Sequence, residues 1–582
     1  MRTRRTVPSA LAVAATLTLL AAGTQAAAAP AASAGQEKTT EYTVLVEDGA
    51  SRDAAVAAIK AAGGEVVKEN AAVGLLTAKA PATGFVQKVS ATDAVSGAAR
   101  AKPIGHSPSA KSGTKPGAKR DEVEKENKTA APKASAQSQK AATAGMDPLD
   151  GDLWGLKLVR SDIARAKQAG DKKVYVGILD TGVDGTHPDI APNFNNELSR
   201  NFTVDIPFDA DGGVFDGPCE FRGCVDPANH DDGGHGTHVA GTIGAAANGF
   251  GVSGVAPNVS LVNIRGGQDA GSFFLQPVVD ALTYGADVGL DVINMSFYVD
   301  PWYMNCLNDA TASAEEQLEQ RTIIKSVQRA LNYAHRKGVT LIGAAGNNHE
   351  DLGKPRQDVQ SPNYPPDHAR PRPVDNATCL NLPTEGDHVI SVSALGPSTF
   401  KADYSNYGVE QTAISAPGGY FRDFFGTEWY RTNENLILST YPKNVAIADG
   451  NVDADGNVTP QGVAAGVKKA VSGNSVGYYQ FLQGTSMAAP HASGVAALIV
   501  SQYGKNDKGR PGLTLAPDKV AKVLYGTAIQ RACPNPRTVS YVNVGRTPEF
   551  DATCEGDAKF NGFYGRGIVD AYGAVTRGGS FI

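Results

Sequence analysis

Residues 484–500, G-T-S-M-A-A-P-H-A-S-G-V-A-A-L-I-V, set Ser486 at the head of a run that is otherwise almost all small or apolar. Such a run reads as a buried helix, and two readings of the serine follow. It is an N-cap, a common role for serine at a helix start. Alternatively it is a nucleophile, held where free N–H groups and the helix dipole favour developing negative charge. Partners elsewhere in the chain decide between the two.

Upstream, K-V-Y-V-G-I-L (173–179), S-L-V-N-I (260–264), D-V-I-N-M-S (291–296), V-T-L-I-G-A-A (339–345) and H-V-I-S-V-S-A (388–394) are near-continuous apolar runs between helical stretches. Strands covered by helices on both faces read this way, which predicts an α/β fold with a mostly parallel sheet over 149–582. Sites in such sheets lie beyond the carboxyl ends of the strands. V-G-I-L-D-T-G-V-D (176–184) brings Asp180 to such an end, and A-A-G-N-N (344–348) brings Asn347. D-D-G-G-H-G-T-H-V-A-G-T (231–242) opens a small-residue helix with His235. These types belong together chemically. A serine hydroxyl is a weak nucleophile until an imidazole accepts its proton, and a carboxylate fixes that imidazole's tautomer. A side-chain amide after a strand can donate to the oxyanion of a tetrahedral intermediate.

The order Asp, His, Ser and four motif contexts, D-T-G-V-D-x-x-H-P-D, H-G-T-H-V-A-G-T, A-A-G-N and G-T-S-M-A-A-P, resemble the subtilisin-like serine proteases. G-V-A-P (254–257) and G-R-G-I-V-D-A (565–571) match as well. The resemblance implies a serine endopeptidase with an Asp180/His235/Ser486 triad, an acyl-enzyme intermediate and Asn347 as oxyanion donor. It also implies that Ser296, Phe297, Tyr298 and Gly346 lie at substrate-binding positions. Ser296 to Val299 stand where the family usually has S-L-G-G, so bulk replaces glycine there. The chemistry implied requires no cofactor or metal, and structural calcium is an option. D-G-N-V-D-A-D-G-N (449–457) has spaced oxygen donors, although a polar hairpin turn is the simpler reading. Asp184, His187, Asp189, His238 and His491 read as structural. Asp231 and Asp232 are either rim carboxylates that attract a basic substrate side chain or a solvated acidic turn. G-N-S-V-G (473–477) fits a hydrolase nucleophile elbow, but no helix fits between it and Ser486, so an esterase is rejected.

The N-terminus has its own organisation. Arg2, Arg4 and Arg5 precede an apolar run (Leu11 to Ala22) and small residues, the order of a secretory signal peptide over 1–34. Residues 41–101 read as β-α-β-β-α-β, a ferredoxin-like unit resembling the inhibitory propeptide of secreted family members. Residues 102–148 are rich in Lys, Ala, Ser and Pro and read as a disordered linker. The expected partners are protein or peptide substrates and the chain's own propeptide as an intramolecular inhibitor. The mature form is expected to be a secreted, extracellular monomer without a membrane anchor. A net charge of −6 gives no reason to expect nucleic acid binding. Six cysteines fit an exported protein. Proximity pairs Cys219 with Cys224 and Cys533 with Cys554, leaving Cys306 with Cys379. Within the protease class, broad degradation competes with selective processing of exported precursors or leader peptides; a catalytically silent binding module is the reading from a different class.

Overall fold

The strands of the main domain alternate their side chains between two cores, as a period of two demands. Val176 and Ile178 point into one core, Leu179 into the other; Val292 and Ile342 join the first, Ile293, Met295 and Leu341 the second. That two-sided burial is why the sequence shows runs rather than alternation. The computed structural model describes residues 39–101, 122–129 and 147–582, apart from 210, 211, 355, 365–367 and 508. The expected signal peptide lies outside the described residues.

The N-terminal unit comprises β1 (Thr39–Val46), α1 (Arg52–Ala61), β2 (Glu65–Asn70), β3 (Leu75–Pro81), α2 (Phe85–Ser90) and β4 (Val95–Arg100). Its antiparallel sheet has the order β2-β3-β1-β4. Ser51 caps α1 by accepting from Ala54 N–H at 3.1 Å. Inside the stretch read from composition as a linker, 122–124 and 126–129 are helical.

The main sheet is built from β5 (Tyr175–Leu179), β6 (Arg200–Asn201), β7 (Ser260–Arg265), β8 (Val292–Met295), β9 (Thr340–Ala344), β10 (Val389–Leu395) and β11 (Ile414–Pro417). It is parallel throughout, in the order β11-β10-β9-β8-β5-β7-β6. Helices α3 (His235–Gly244) and α6 (Thr485–Tyr503) lie against one face, with α6 across β8 to β11. Helices α4 (Leu275–Asp287) and α5 (Ala314–Arg336) cover the other face, where Leu45, Val73 and Leu75 of the N-terminal unit join their core. Every residue of α6 from Thr485 to Ser501 is buried, as a helix with no polar face requires. Between β11 and α6, β12 (Ile437–Tyr441), β13 (Lys468–Ser472) and β14 (Ser475–Leu482) form a small antiparallel sheet that leads into Ser486.

Three disulfides, Cys219–Cys224, Cys306–Cys379 and Cys533–Cys554, pair as proximity indicated. Ser475 of the rejected elbow is exposed at the start of β14. The 449–457 stretch is a hairpin turn in which the Asp453 carboxylate accepts from Asn457 N–H at 2.7 Å. No helix among the described residues is long and apolar enough to cross a membrane.

Candidate active site

Strand register sets the site. Leu179 pairs with Met295, and Met295 with Gly343, so Asp180, Ser296 and Ala344 stand side by side at the carboxyl ends of three adjacent strands. Asp180 is fully buried, and its Oδ1 accepts from Thr181 N–H at 2.8 Å and from His235 Nδ1 at 2.7 Å. That bond fixes the imidazole with Nε2 facing outward. Gly236 lets α3 come this close, because a Cβ there would lie 2.1 Å from the Gly182 carbonyl oxygen. Asp231 anchors the start of α3, accepting from Gly234 N–H at 2.8 Å, Thr237 N–H at 3.0 Å and the Thr237 hydroxyl at 2.6 Å. This corrects the reading of Asp231 as a rim carboxylate: it is fully buried and already satisfied. Asp232 is spent on His230 at 2.8 Å and Asn444 at 2.6 Å.

Ser486 sits in the first turn of α6. Pro490 has no N–H, so the Ser486 carbonyl loses its helical donor; the Ser296 hydroxyl supplies one at 3.2 Å. Asn347 is oriented by Thr485, whose N–H can only donate and does so to Asn347 Oδ1 at 2.9 Å. The Asn347 amide nitrogen therefore faces the site. The backbone N–H of the adjacent Asn348 donates to Asn406 Oδ1 at 3.0 Å. Gly346 (φ +102°) is confined to glycine, since a Cβ would meet Asn406 Nδ2 at 2.4 Å.

Sequence reasoning missed Glu124. Its carboxylate accepts from the Ser486 hydroxyl at 2.8 Å and lies 3.4 Å from both Asn347 Nδ2 and His235 Nε2. One carboxylate thus meets all three outward-facing groups. Its backbone is held too: Gln483 N–H donates to Glu124 O at 3.1 Å, and Gln483 Nε2 to Val123 O at 3.0 Å. Burial alone would push the His235 imidazole down, but the carboxylates of Asp180 and Glu124 outweigh it and raise it to about 10. An imidazole protonated at neutral pH cannot accept the serine proton, so this arrangement is closed. No motif signalled Glu124, which falls in the stretch read from composition as a disordered linker.

The remaining candidates are placed as follows. Phe297 is buried with its ring stacked 4.0 Å from that of Phe273, so its bulk fills the core rather than a cleft. The Tyr298 hydroxyl accepts from Asn363 at 2.8 Å. His187, His238 and His491 are buried and bonded to backbone carbonyls of Tyr478, Ile437 and Met487, which are structural roles. Asp189, pushed up to about 7 by burial, takes the Tyr479 hydroxyl at 2.7 Å. Among the described residues, Asp205, Asp226 and Asp269 bring carboxylate oxygens within 4.8 Å of one another. The buried Arg265 guanidinium pairs with all three, and a metal ion there would compete with it.

The subtilase family model matches residues 171–567. Subtilisin DY of Bacillus licheniformis is 27% identical over 350 residues, covering 60% of this chain and 85% of that protein. The thermophilic serine proteinase of Bacillus sp. strain AK1 is 26% identical over 372 residues, covering 64% of this chain and 63% of that one. Among solved structures, an epidermin leader peptide processing serine protease from Staphylococcus aureus superposes with a TM-score of 0.58 at 19% identity, over 92% of this chain and 98% of that one. Fervidolysin from Fervidobacterium pennivorans gives 0.52 at 21%, over 93% and 62%. At such identities these likenesses speak for the fold alone. With the family model matched over more than half of its length, the chain belongs to the subtilase family and is a serine-type endopeptidase.

Proposed function

We propose that the chain is an exported endopeptidase that hydrolyses peptide bonds through Asp180, His235 and Ser486, with Asn347 as oxyanion donor, and that it is made with its centre closed by its own residues 122–128. The observation that carries this is the convergence of the Ser486 hydroxyl, His235 Nε2 and Asn347 Nδ2 on one carboxylate. With Glu124 gone, His235 takes the Ser486 proton as the hydroxyl attacks the substrate carbonyl. Asp180 stabilises the resulting imidazolium. Asn347 Nδ2 then faces the forming oxyanion, near where Glu124 Oε1 now lies. The His235 imidazolium passes that proton to the leaving amine as the C–N bond breaks, and the acyl-enzyme is then cleared by water with His235 again as base. Export is supported by the charged, apolar, small-residue order of the N-terminus and by the three disulfides.

Ser486→Ala abolishes peptide hydrolysis and labelling by organophosphonates, which both need the activated hydroxyl; undiminished labelling removes Ser486 from the mechanism. The same variant keeps the 102–148 stretch intact in a protease-poor host. Loss of that stretch at the wild-type rate would assign the trimming to another protease.

A further inference from the structure

Two residues beyond Glu124, the Glu126 side chain enters a second, separate pocket. Its carboxylate accepts from Arg422 Nε at 2.6 Å, Arg546 Nη2 at 3.1 Å and Gln483 Nε2 at 2.9 Å, and the residue is 6% exposed. Glu126 does not itself create this geometry. Arg422 is held from behind, Nη1 donating to the Val544 carbonyl at 2.5 Å. Arg546 is fixed by Asp403, at 2.5 Å from Nε, and lies 4.8 Å over the Phe550 ring. Gln483 has its amide orientation set by Phe421 N–H, which donates to Oε1 at 2.7 Å and so turns the NH2 group toward Glu126. Three donors are therefore aimed at one carboxylate position by groups outside the 122–128 segment. Maturation that removes the segment leaves the cationic pocket formed and without Glu126, and a sequestered guanidinium without its anion is costly.

The pocket is also within a substrate's reach of the chemistry. Glu124 touches the Ser486 hydroxyl, Glu126 is two residues further on, and a residue of extended chain spans roughly 3.3–3.6 Å. Between the two, Gln483 N–H binds the Glu124 carbonyl, offering a backbone anchor only three residues before Ser486.

We propose that Arg422, Arg546 and the Gln483 amide form an acid-selecting subsite of the peptidase, which takes an aspartate or glutamate side chain close to the bond cut, and that Glu126 fills it in the uncut chain. The proposal rests on the reading of Ser486 as nucleophile and gives that site a substrate class: peptides with an acidic residue within about three positions of the cut, a reach set by the chain spacing above. Arginine–carboxylate contacts are charge-assisted and directional. Replacing glutamate by glutamine in the substrate keeps the shape and removes the charge.

The test uses the full-length chain, its 102–148 stretch nicked by trypsin and the trypsin then inhibited. Matched peptides carrying Glu or Gln at each of three positions on either side of one cut are compared by kcat/KM. The expected result is a preference for Glu of roughly 10- to 100-fold at one position, the range of hydrogen bonds to charged groups. It falls to near 1 in Arg422→Gln and is partly retained in Arg422→Lys. Arg546 is left in place because it also holds the buried Asp403. Because the readout is a ratio within each variant, a partly unfolded Arg422→Gln preparation still reports it. Cleavage without a Glu preference at any position, or a preference that survives Arg422→Gln, overturns the subsite while leaving the peptidase. No cleavage of any peptide and no labelling of Ser486 overturns the reading beneath it and the subsite with it.

Discussion

The N-terminal unit and the 122–128 segment both dock on the catalytic domain, and they do it by opposite means. The unit presents a whole sheet to α4 and α5, on the face opposite α6, burying Leu45, Val73 and Leu75 and adding polar anchors such as Arg329 to Val46 O at 2.9 Å. The segment is seven residues long and mostly charged, yet Glu124 and Glu126 meet Ser486, His235, Arg422 and Arg546. The unit has the area and the segment has the chemistry. Folding free energy follows the first, since buried apolar surface yields about 25 cal/mol per Å². On the proposed function, control of the reaction follows the second, because one carboxylate meets Ser486, His235 and Asn347.

The division of labour can be broken most sharply at Glu124. Glu124→Ala in the full-length chain speeds organophosphonate labelling of Ser486, measured on uncut protein, by roughly 10- to 100-fold, the worth of hydrogen bonds between charged groups. An unchanged rate would mean that the N-terminal unit, not the segment, closes the centre.

What the sequence reveals follows the same line. The parallel strands were legible because covering both faces forces apolar runs, as in V-I-N-M (292–295), and Asp180, His235, Asn347 and Ser486 because each has within two residues a glycine that lets backbones approach. Strand β11, I-S-A-P (414–417), has a single large apolar residue and so is not an apolar run that stands out. Glu124 and Glu126 were illegible because their partners lie 362, 296 and 420 residues away at Ser486, Arg422 and Arg546, the two arginines on loops that leave no local pattern. A charge run and a docked charge run look alike until those loops close over it. The long stretch between Tyr404 and Gln483 carries Arg422, Asn433 and Ala465, which hydrogen-bond to Glu126 and Asn127 of the segment.

Acidity gives a second, smaller lever on the comparison. His235 is raised in the closed chain to about 10, against an ordinary imidazole near 6.5. A raised pKa means that the closed form binds the extra proton, so its contribution to stability is fully present below about pH 6.5 and is lost as pH rises through about 10. In the Ser486→Ala chain, the imidazole resonances should titrate near the upper value, and lower when Glu124→Ala is added. Contacts of the N-terminal unit, such as Thr77 to Gln276 Oε1 at 3.1 Å, involve no imidazole and should hold across that window. A midpoint that ignores Glu124 would assign the raised value to Asp180 alone.

The smallest effect belongs to the unit's own interface. The Asn70 amide donates to Asp280 Oδ1 and to Thr283 Oγ1, both at 2.8 Å, in a buried position. Asn70→Ala removes both bonds, but Asp280 keeps Gln276 at 2.8 Å and Lys68 at 2.6 Å, so no buried charge is stranded. The cost is therefore that of an ordinary hydrogen bond, about 1 kcal/mol, and hydrogen-exchange protection across β2 and β3 should drop about fivefold. Labelling of Ser486 should change by less than about twofold, the ratio expected if docking area and closure of the centre are independent. If Asn70→Ala instead opens Ser486 as far as Glu124→Ala does, the unit and the segment act as a single lock, and the segment's hold on the centre depends on the sheet behind it.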